Sequence, residues 1–275
     1  MNLVLSPAAE KLFQHYTDRL PQTLLISGPT GVGLATIARE LARSHTKAIH
    51  FIEPTKDKKP DPAGHISIDA IRELYTSTRS QISGGRIILI DNADKMTHQA
   101  QNAFLKLLEE PNSSTSFILT SHEPGLLLPT VLSRLQEFNV QLITEPQSQA
   151  LLDDLKITDS KVRAQLLFIA MGKPAELIRL SANQDKIAIY GQVIADARKL
   201  VQGSTYDKLV LIHSYKDDRQ KAELLLDAVL KLLKMSLASG KNTAQVTGMM
   251  DKALTAIERL RQNGNVRLTL ASFVL

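Results

Sequence analysis

The chain has 275 residues, 43% of them hydrophobic, which allows one to three domains and a sizeable core, and no apolar run is long enough to span a bilayer. With no cysteine, disulfides and thiolate zinc sites are excluded. The 33 basic against 28 acidic residues leave a net charge of +5, a mild excess compatible with a nucleic-acid partner or with an ordinary solvated surface.

Residues 1–20 lack the charged, apolar and small-residue succession of a signal peptide, so the cytoplasm is the default location. Ala8, Leu12 and Phe13 predict a short amphipathic helix there. Thr23-Leu24-Leu25-Ile26-Ser27 predicts a buried strand, followed by Gly28-Pro29-Thr30-Gly31-Val32-Gly33 and a helix with apolar Leu34, Ile37, Ala38 and Leu41. Strand, glycine loop and helix frame a phosphate loop, whose pattern is G-x-x-x-x-G-K-[ST]: backbone N–H groups wrap the phosphates, the lysine reaches the β and γ oxygens, and the hydroxyl binds Mg²⁺. Gly28 and Gly33 keep that spacing, with Gly31 between them, but Leu34 stands at the lysine position and Ala35 at the hydroxyl position. Both departures fall on the chemical groups, which argues against hydrolysis and leaves residual nucleotide contact through the backbone. Thr36 offers a hydroxyl one place later, but a helix turns about 100° per residue and aims it elsewhere.

Ile49 to Glu53 predicts a second strand, and the polar Pro54 to Gly64 a surface loop. Its Lys56, Lys58 and Lys59 either meet phosphate or an acidic partner, or are solvated loop charge. Ser67 opens a helix through Leu74. Ile87-Ile88-Leu89-Ile90 is a central parallel strand closed by Asp91, where open α/β sheets bind ligands. Asp91 therefore either holds a Mg²⁺ water shell or caps a loop. Thr97 is a helix N-cap for Ala100, Ala103, Phe104, Leu107 and Leu108, and Glu109-Glu110-Pro111 closes that helix. Phe117 to Thr120 is another buried strand, Pro129 opens a short helix ending near Ser133-Arg134, and Glu137 to Leu142 makes a fifth strand. Beyond Thr144-Glu145-Pro146 come short helices, then long ones over Ile187 to Val201, Leu209 to Tyr215, Ala222 to Leu237, Val246 to Leu260 and Val266 to Leu275. The run Leu224 to Leu233 is apolar around most of its circumference, as a bundle core or a subunit contact would require.

This succession resembles the clamp-loader group of AAA+ proteins. Asn102-Ala103-Phe104-Leu105-Lys106-Leu107-Leu108-Glu109-Glu110-Pro111 is similar to that group's NALLKxLEEP helix, Ile68-Asp69-Ala70-Ile71-Arg72-Glu73-Leu74 to its IReL helix, and Leu132-Ser133-Arg134 to the start of its SRC motif, with Leu135 in place of the cysteine. The resemblance implies a RecA-like α/β domain with a five-stranded parallel sheet over residues 1–143, a small helical lid over 144–183 and an all-α collar over 184–275 that joins subunits. It also puts Asn92 where the family's catalytic glutamate stands, and an amide cannot act as a general base. Ala175, in Gly172-Lys173-Pro174-Ala175-Glu176, falls at the second-sensor arginine, with Arg179 one turn later.

Ser133 and Arg134 carry over as the pair presented in trans to a neighbouring subunit's γ-phosphate; the other reading pairs Arg134 with Glu137 or another local acid. Loss of the loop lysine with retention of Ser-Arg is the pattern of the family's rigid stator subunit in the DNA polymerase III holoenzyme. The implied partners are gamma/tau and delta clamp-loader subunits, the sliding clamp and primer-template DNA, with no membrane and no metal, although several bacterial relatives carry a small cysteine-bound zinc in the first domain. An active gamma-like loader ATPase is the alternative, against which Leu34 and Ala35 count; a AAA+ protein of recombination is a third reading.

Overall fold

The apolar runs form one sheet in the computed structural model, which describes residues 3–46, 48–78, 85–109, 114–238, 240 and 243–274. Helix α1 (Pro7–Asp18) precedes β1 (Thr23–Ser27), α2 (Leu34–His45), β2 (Ile49–Ile52), a hairpin of β3 (Thr55–Lys56) and β4 (Lys59–Pro60), and α3 (Ile68–Thr78). Then follow β5 (Arg86–Ile90), α4 (His98–Glu109), β6 (Thr115–Ser121), α5 (Pro129–Leu132) and β7 (Gln136–Asn139). Five strands pair in parallel in the order β2-β5-β6-β1-β7, so β5, β6 and β1 are interior and the loops after them open at one edge of the sheet.

Side chains alternate across a strand, which makes each run two-sided. Ile87 and Leu89 of β5, Leu24 and Ile26 of β1 and Ile118 of β6 join the core built with α1 and α2. Ile88 and Ile90, Leu25, and Phe117 and Leu119 join the other core, with α3 and α4. A buried aliphatic side chain contributes roughly 1.5–3 kcal/mol, and every residue of β5 is buried. That explains why its four-residue apolar run shows no polar alternation.

Local signals set the helix starts. Ser6 accepts from the Ala9 N–H ahead of Pro7, Ser67 from Ala70, and Thr97 from Ala100. Three expectations shift. The inward face of α1 is Ala9, Phe13 and Tyr16, not Ala8 and Leu12, because the Tyr16 ring packs on Phe138 with centroids 5.6 Å apart. The stretch 54–64 holds a hairpin, turned by Asp57 and Lys58 at φ 51° and 62°. The fifth strand is Gln136–Asn139, ending earlier than Leu142. Glu110, Pro111 and Leu275, used above as element ends, lie outside the described residues.

The chain divides into two compact units, Met1–Lys156 with Ala170–Ile178, and Ile157–Ile169 with Arg179–Leu275. Besides the sheet, the first contains α6 (Glu145–Asp154), entered through a Thr144 and Gln147 capping box. Two further helices, α7 (Ser160–Ala170) and α8 (Pro174–Ser181), lie at the unit boundaries. The second unit is helical: α9 (Gln184–Gln202), α10 (Thr205–Tyr215), α11 (Arg219–Ala238), α12 (Thr243–Arg261) and α13 (Val266–Val274). Leu225, Leu226, Val229 and Leu233 of α11 are buried against Ala197 and Leu200 of α9, Ala253 and Leu260 of α12, and Leu270 of α13. Leu224 and Leu232 are half-buried on the same core, so the bundle interior accounts for most of that apolar run. Among the described residues no helix is long and apolar enough to cross a membrane.

One polar pair lies inside this bundle. The Tyr215 hydroxyl donates to Asp196 Oδ2 at 2.9 Å, and Gln192 Nε2 donates to Oδ1 at 3.0 Å. Burial, followed by the Asp196 carboxylate, raises the Tyr215 pKa above its ordinary value. A phenol whose pKa is higher folded than unfolded stabilises fully below about pH 10, and that stability is lost as pH rises through the folded value. Thermal denaturation should therefore show the second unit weakening above about pH 10. Tyr215→Phe should weaken it at neutral pH by about 1–3 kcal/mol, by removing a donor from a buried carboxylate, and should flatten the alkaline decline.

Candidate functional site

The loop after β1 has the backbone of a phosphate loop. Gly31 and Gly33 sit at φ 94°, in the left-handed region that favours glycine. Gly28 must lack a side chain for another reason: a Cβ there would lie 2.6 Å from the Val140 carbonyl oxygen. Its own N–H donates to Ser121, and its carbonyl accepts from His122 Nδ1 at 2.9 Å. His122 is a site residue the sequence reading passed over, because it lies past the end of an apolar run and belongs to no motif.

The loop is filled from both sides. Leu34, at the lysine position, is only 2% exposed and belongs to the α1–α2 core, reaching to 3.4 Å from the Cβ position of Gly28. Ala35 is half-buried and Thr36 points outward, so no hydroxyl enters the loop from this turn. Against the outer face lies the segment Gly172 to Glu176. The Glu176 N–H donates to the Gly31 carbonyl at 3.1 Å. A side chain on Gly31 would meet Glu176 Cβ at 3.1 Å and Lys173 Cδ at 3.2 Å, and one on Gly33 would meet the Ala175 methyl at 3.3 Å. Ala175, which the resemblance sets at the second-sensor position, thus packs on the loop with a methyl group. The segment is fixed upstream by Ile143 N–H donating to Gly172 O at 2.9 Å.

Asp91, after β5, is engaged within the chain. Thr120 Oγ1 donates to Oδ1 at 2.6 Å, and Asn92 Nδ2 donates to Oδ2 at 3.3 Å. The Asn92 N–H in turn donates to Thr120 Oγ1 at 2.9 Å, with Asn92 at φ 51° and ψ 56°. Both oxygens of the strand-end carboxylate therefore accept hydrogen bonds within the chain, linking the turn after β5 to β6. Asp94, one helical turn on, accepts the His122 N–H at 3.1 Å and ties the same two loops.

Ser133 and Arg134 stand apart from that cluster, at the end of α5. The Ser133 hydroxyl donates to Thr130 O at 3.1 Å, which closes its own turn. Arg134 is partly exposed, with Nη1 donating to Thr130 O at 2.8 Å and Nη2 to Glu109 Oε1 at 3.1 Å. The local acid is Glu109, not Glu137; it lies 25 residues upstream, beyond the reach of a local sequence pattern.

A family model described as DNA polymerase III, delta subunit, matches residues 42–144. The protein named DNA polymerase III subunit delta' of Pseudomonas aeruginosa is 31% identical over 188 residues, covering 65% of this chain and 55% of that protein. Its namesake in Bacillus subtilis is also 31% identical over 188 residues, covering 61% and 56%. Over 61–65% of its length the chain is thus similar to the delta' subunits of bacterial DNA polymerase III. Its fold is also that of a DNA polymerase III gamma-subunit-related protein from Thermotoga maritima, with a TM-score of 0.55 at 17% identity over 97% of each chain. The chain spans about half the length of the two curated relatives. Within the chain, the family match contains Asp91, the Asn102–Pro111 motif and Ser133-Arg134, and leaves out the altered loop from Gly28 to Ala35.

Proposed function

We propose that the chain is a delta'-type stator of a bacterial DNA polymerase III clamp loader. It joins gamma/tau and delta subunits, helps to load the sliding clamp on primer-template DNA in the cytoplasm, and performs no ATP hydrolysis of its own. Residues 1–143 serve as the AAA+ domain, 144–183 as the lid and 184–275 as the collar through which subunits assemble. Arg134, aided by Ser133, completes a neighbour's ATP site.

One asymmetry carries the reading. The chain's own phosphate loop holds a buried Leu34 and is hydrogen-bonded to its own Glu176, whereas the Arg134 guanidinium remains partly exposed. A loop that lacks lysine and hydroxyl retains the backbone frame but not the groups that neutralise transferred charge. A guanidinium remains charged at any physiological pH and meets two phosphate oxygens at once.

Reconstitution tests it. The purified chain, mixed with gamma/tau and delta subunits, should co-elute with them and support clamp loading, while alone it hydrolyses ATP at background rate. Turnover near one per second by the isolated chain, within the range of phosphoryl-transfer enzymes, would contradict the stator role.

A further inference from the structure

Arg134 follows a four-residue helix and is 38% exposed, yet it is held at both ends of its fork. A guanidinium carries five N–H donors in one plane. The bonds to Thr130 O and Glu109 Oε1 use one hydrogen from each terminal nitrogen, which leaves the second hydrogen on each, and Nε–H. The group is thus oriented while still able to meet an anion. Its backbone is fixed as well, because Thr23 Oγ1, at the start of β1, donates to the Arg134 carbonyl at 2.7 Å.

Glu109 is the last residue of α4. A carboxylate there faces the negative end of the helix dipole, the wrong sign for its place unless a cation covers it. Arg134 is that cation. With 52% of the Glu109 side chain exposed, the pair adds little to folding stability, since exposed ion pairs are screened by water. Its consequence is geometric. Helix α4 starts just past the Asp91 loop and ends on the guanidinium, so one rigid element joins the two.

We infer that Glu109 is a positioning residue for Arg134, fixing the direction in which its free N–H groups face a neighbour's phosphate; this rests on the proposed role of Arg134 in trans. A carboxylate that instead competed with phosphate for the guanidinium would slow the reaction, and its removal would speed it. Misplacing a catalytic group by about 1 Å costs up to roughly a hundredfold in rate.

The test uses the assembled complex with wild-type ATPase subunits, and compares Glu109→Gln, Arg134→Ala and the double variant. Clamp- and DNA-stimulated ATP hydrolysis is measured as kcat and KM, with assembly followed by co-elution. Positioning predicts that Glu109→Gln assembles normally, keeps KM within about twofold and loses roughly tenfold or more in kcat. It also predicts that Glu109→Gln adds nothing further once Arg134 is Ala. Unchanged or raised kcat in Glu109→Gln, or fully additive losses in the double variant, overturns the positioning role while the finger stands. A loss confined to assembly, with normal kcat per complex, overturns it too. Full activity of Arg134→Ala in an assembled complex overturns both.

Discussion

Arg134→Ala, assembled with wild-type ATPase subunits, is expected to leave the complex intact and to slow hydrolysis at the adjoining site by about 10³-fold, the lower bound for arginine fingers in GTPases. The fold should tolerate the change. Arg134 is partly exposed, and its ion pair with Glu109 belongs to a class that contributes about 0–1 kcal/mol. The effect on chemistry is larger because charge developing on phosphate oxygens, in a site closed to water, is stabilised by a preorganised cation far more than in solvent. Arg134→Lys separates charge from shape. An ammonium keeps the charge but loses the planar fork, so the Thr130 and Glu109 bonds and a bidentate phosphate contact cannot all form; it should recover only a small part of the rate. Single-turnover hydrolysis in the assembled complex reads both variants, and wild-type rates with Ala at 134 would reject the finger.

The sequence revealed the frame because its signals are local. The three buried strands β1, β5 and β6 follow from runs of β-branched and aliphatic residues, and β5, buried throughout, had the clearest run. Thr97 and Ser67 marked helix starts because a side-chain cap acts within three residues. The altered loop was legible for the same reason, since its chemistry depends on spacing along the chain. What escaped depends on contacts between distant residues. Neither Ala8 nor Ala9 identifies itself as the inner residue of α1; the Tyr16 ring on Phe138 decides it, with the Tyr16 hydroxyl near the Glu137 carbonyl. The hairpin at 55–60 reads as a loop because its turn uses Asp57 and Lys58 without glycine; backbone bonds between Thr55 and His65 support it from outside. The Glu109–Arg134 pair and the seating of Glu176 on Gly31 are likewise long-range, and no periodicity encodes them.

Leu34→Lys with Ala35→Thr, which rebuilds the sequence pattern of a phosphate loop, is expected to leave nucleotide binding undetectable and to destabilise the first unit by about 2–5 kcal/mol, as for a large aliphatic residue lost from a core. From sequence alone the double replacement looks like a route to restored affinity, because Gly28, Gly31 and Gly33 already permit close backbone approach. Two contacts argue otherwise. Leu34 is a core residue, 2% exposed, so a lysine at 34 must bury an ammonium among aliphatic side chains or swing it out and leave a cavity. The outer face of the loop is occupied by the segment Gly172 to Glu176, with the Glu176 N–H on the Gly31 carbonyl and the Ala175 methyl over Gly33. A nucleotide would have to displace that segment before its phosphates met the loop amides, and the binding-competent fraction multiplies into the apparent affinity. Calorimetric titration with ATP, paired with thermal denaturation, measures both halves. Micromolar binding with unchanged stability would mean that the segment from Gly172 to Glu176 yields readily and that Leu34 contributes nothing to the core.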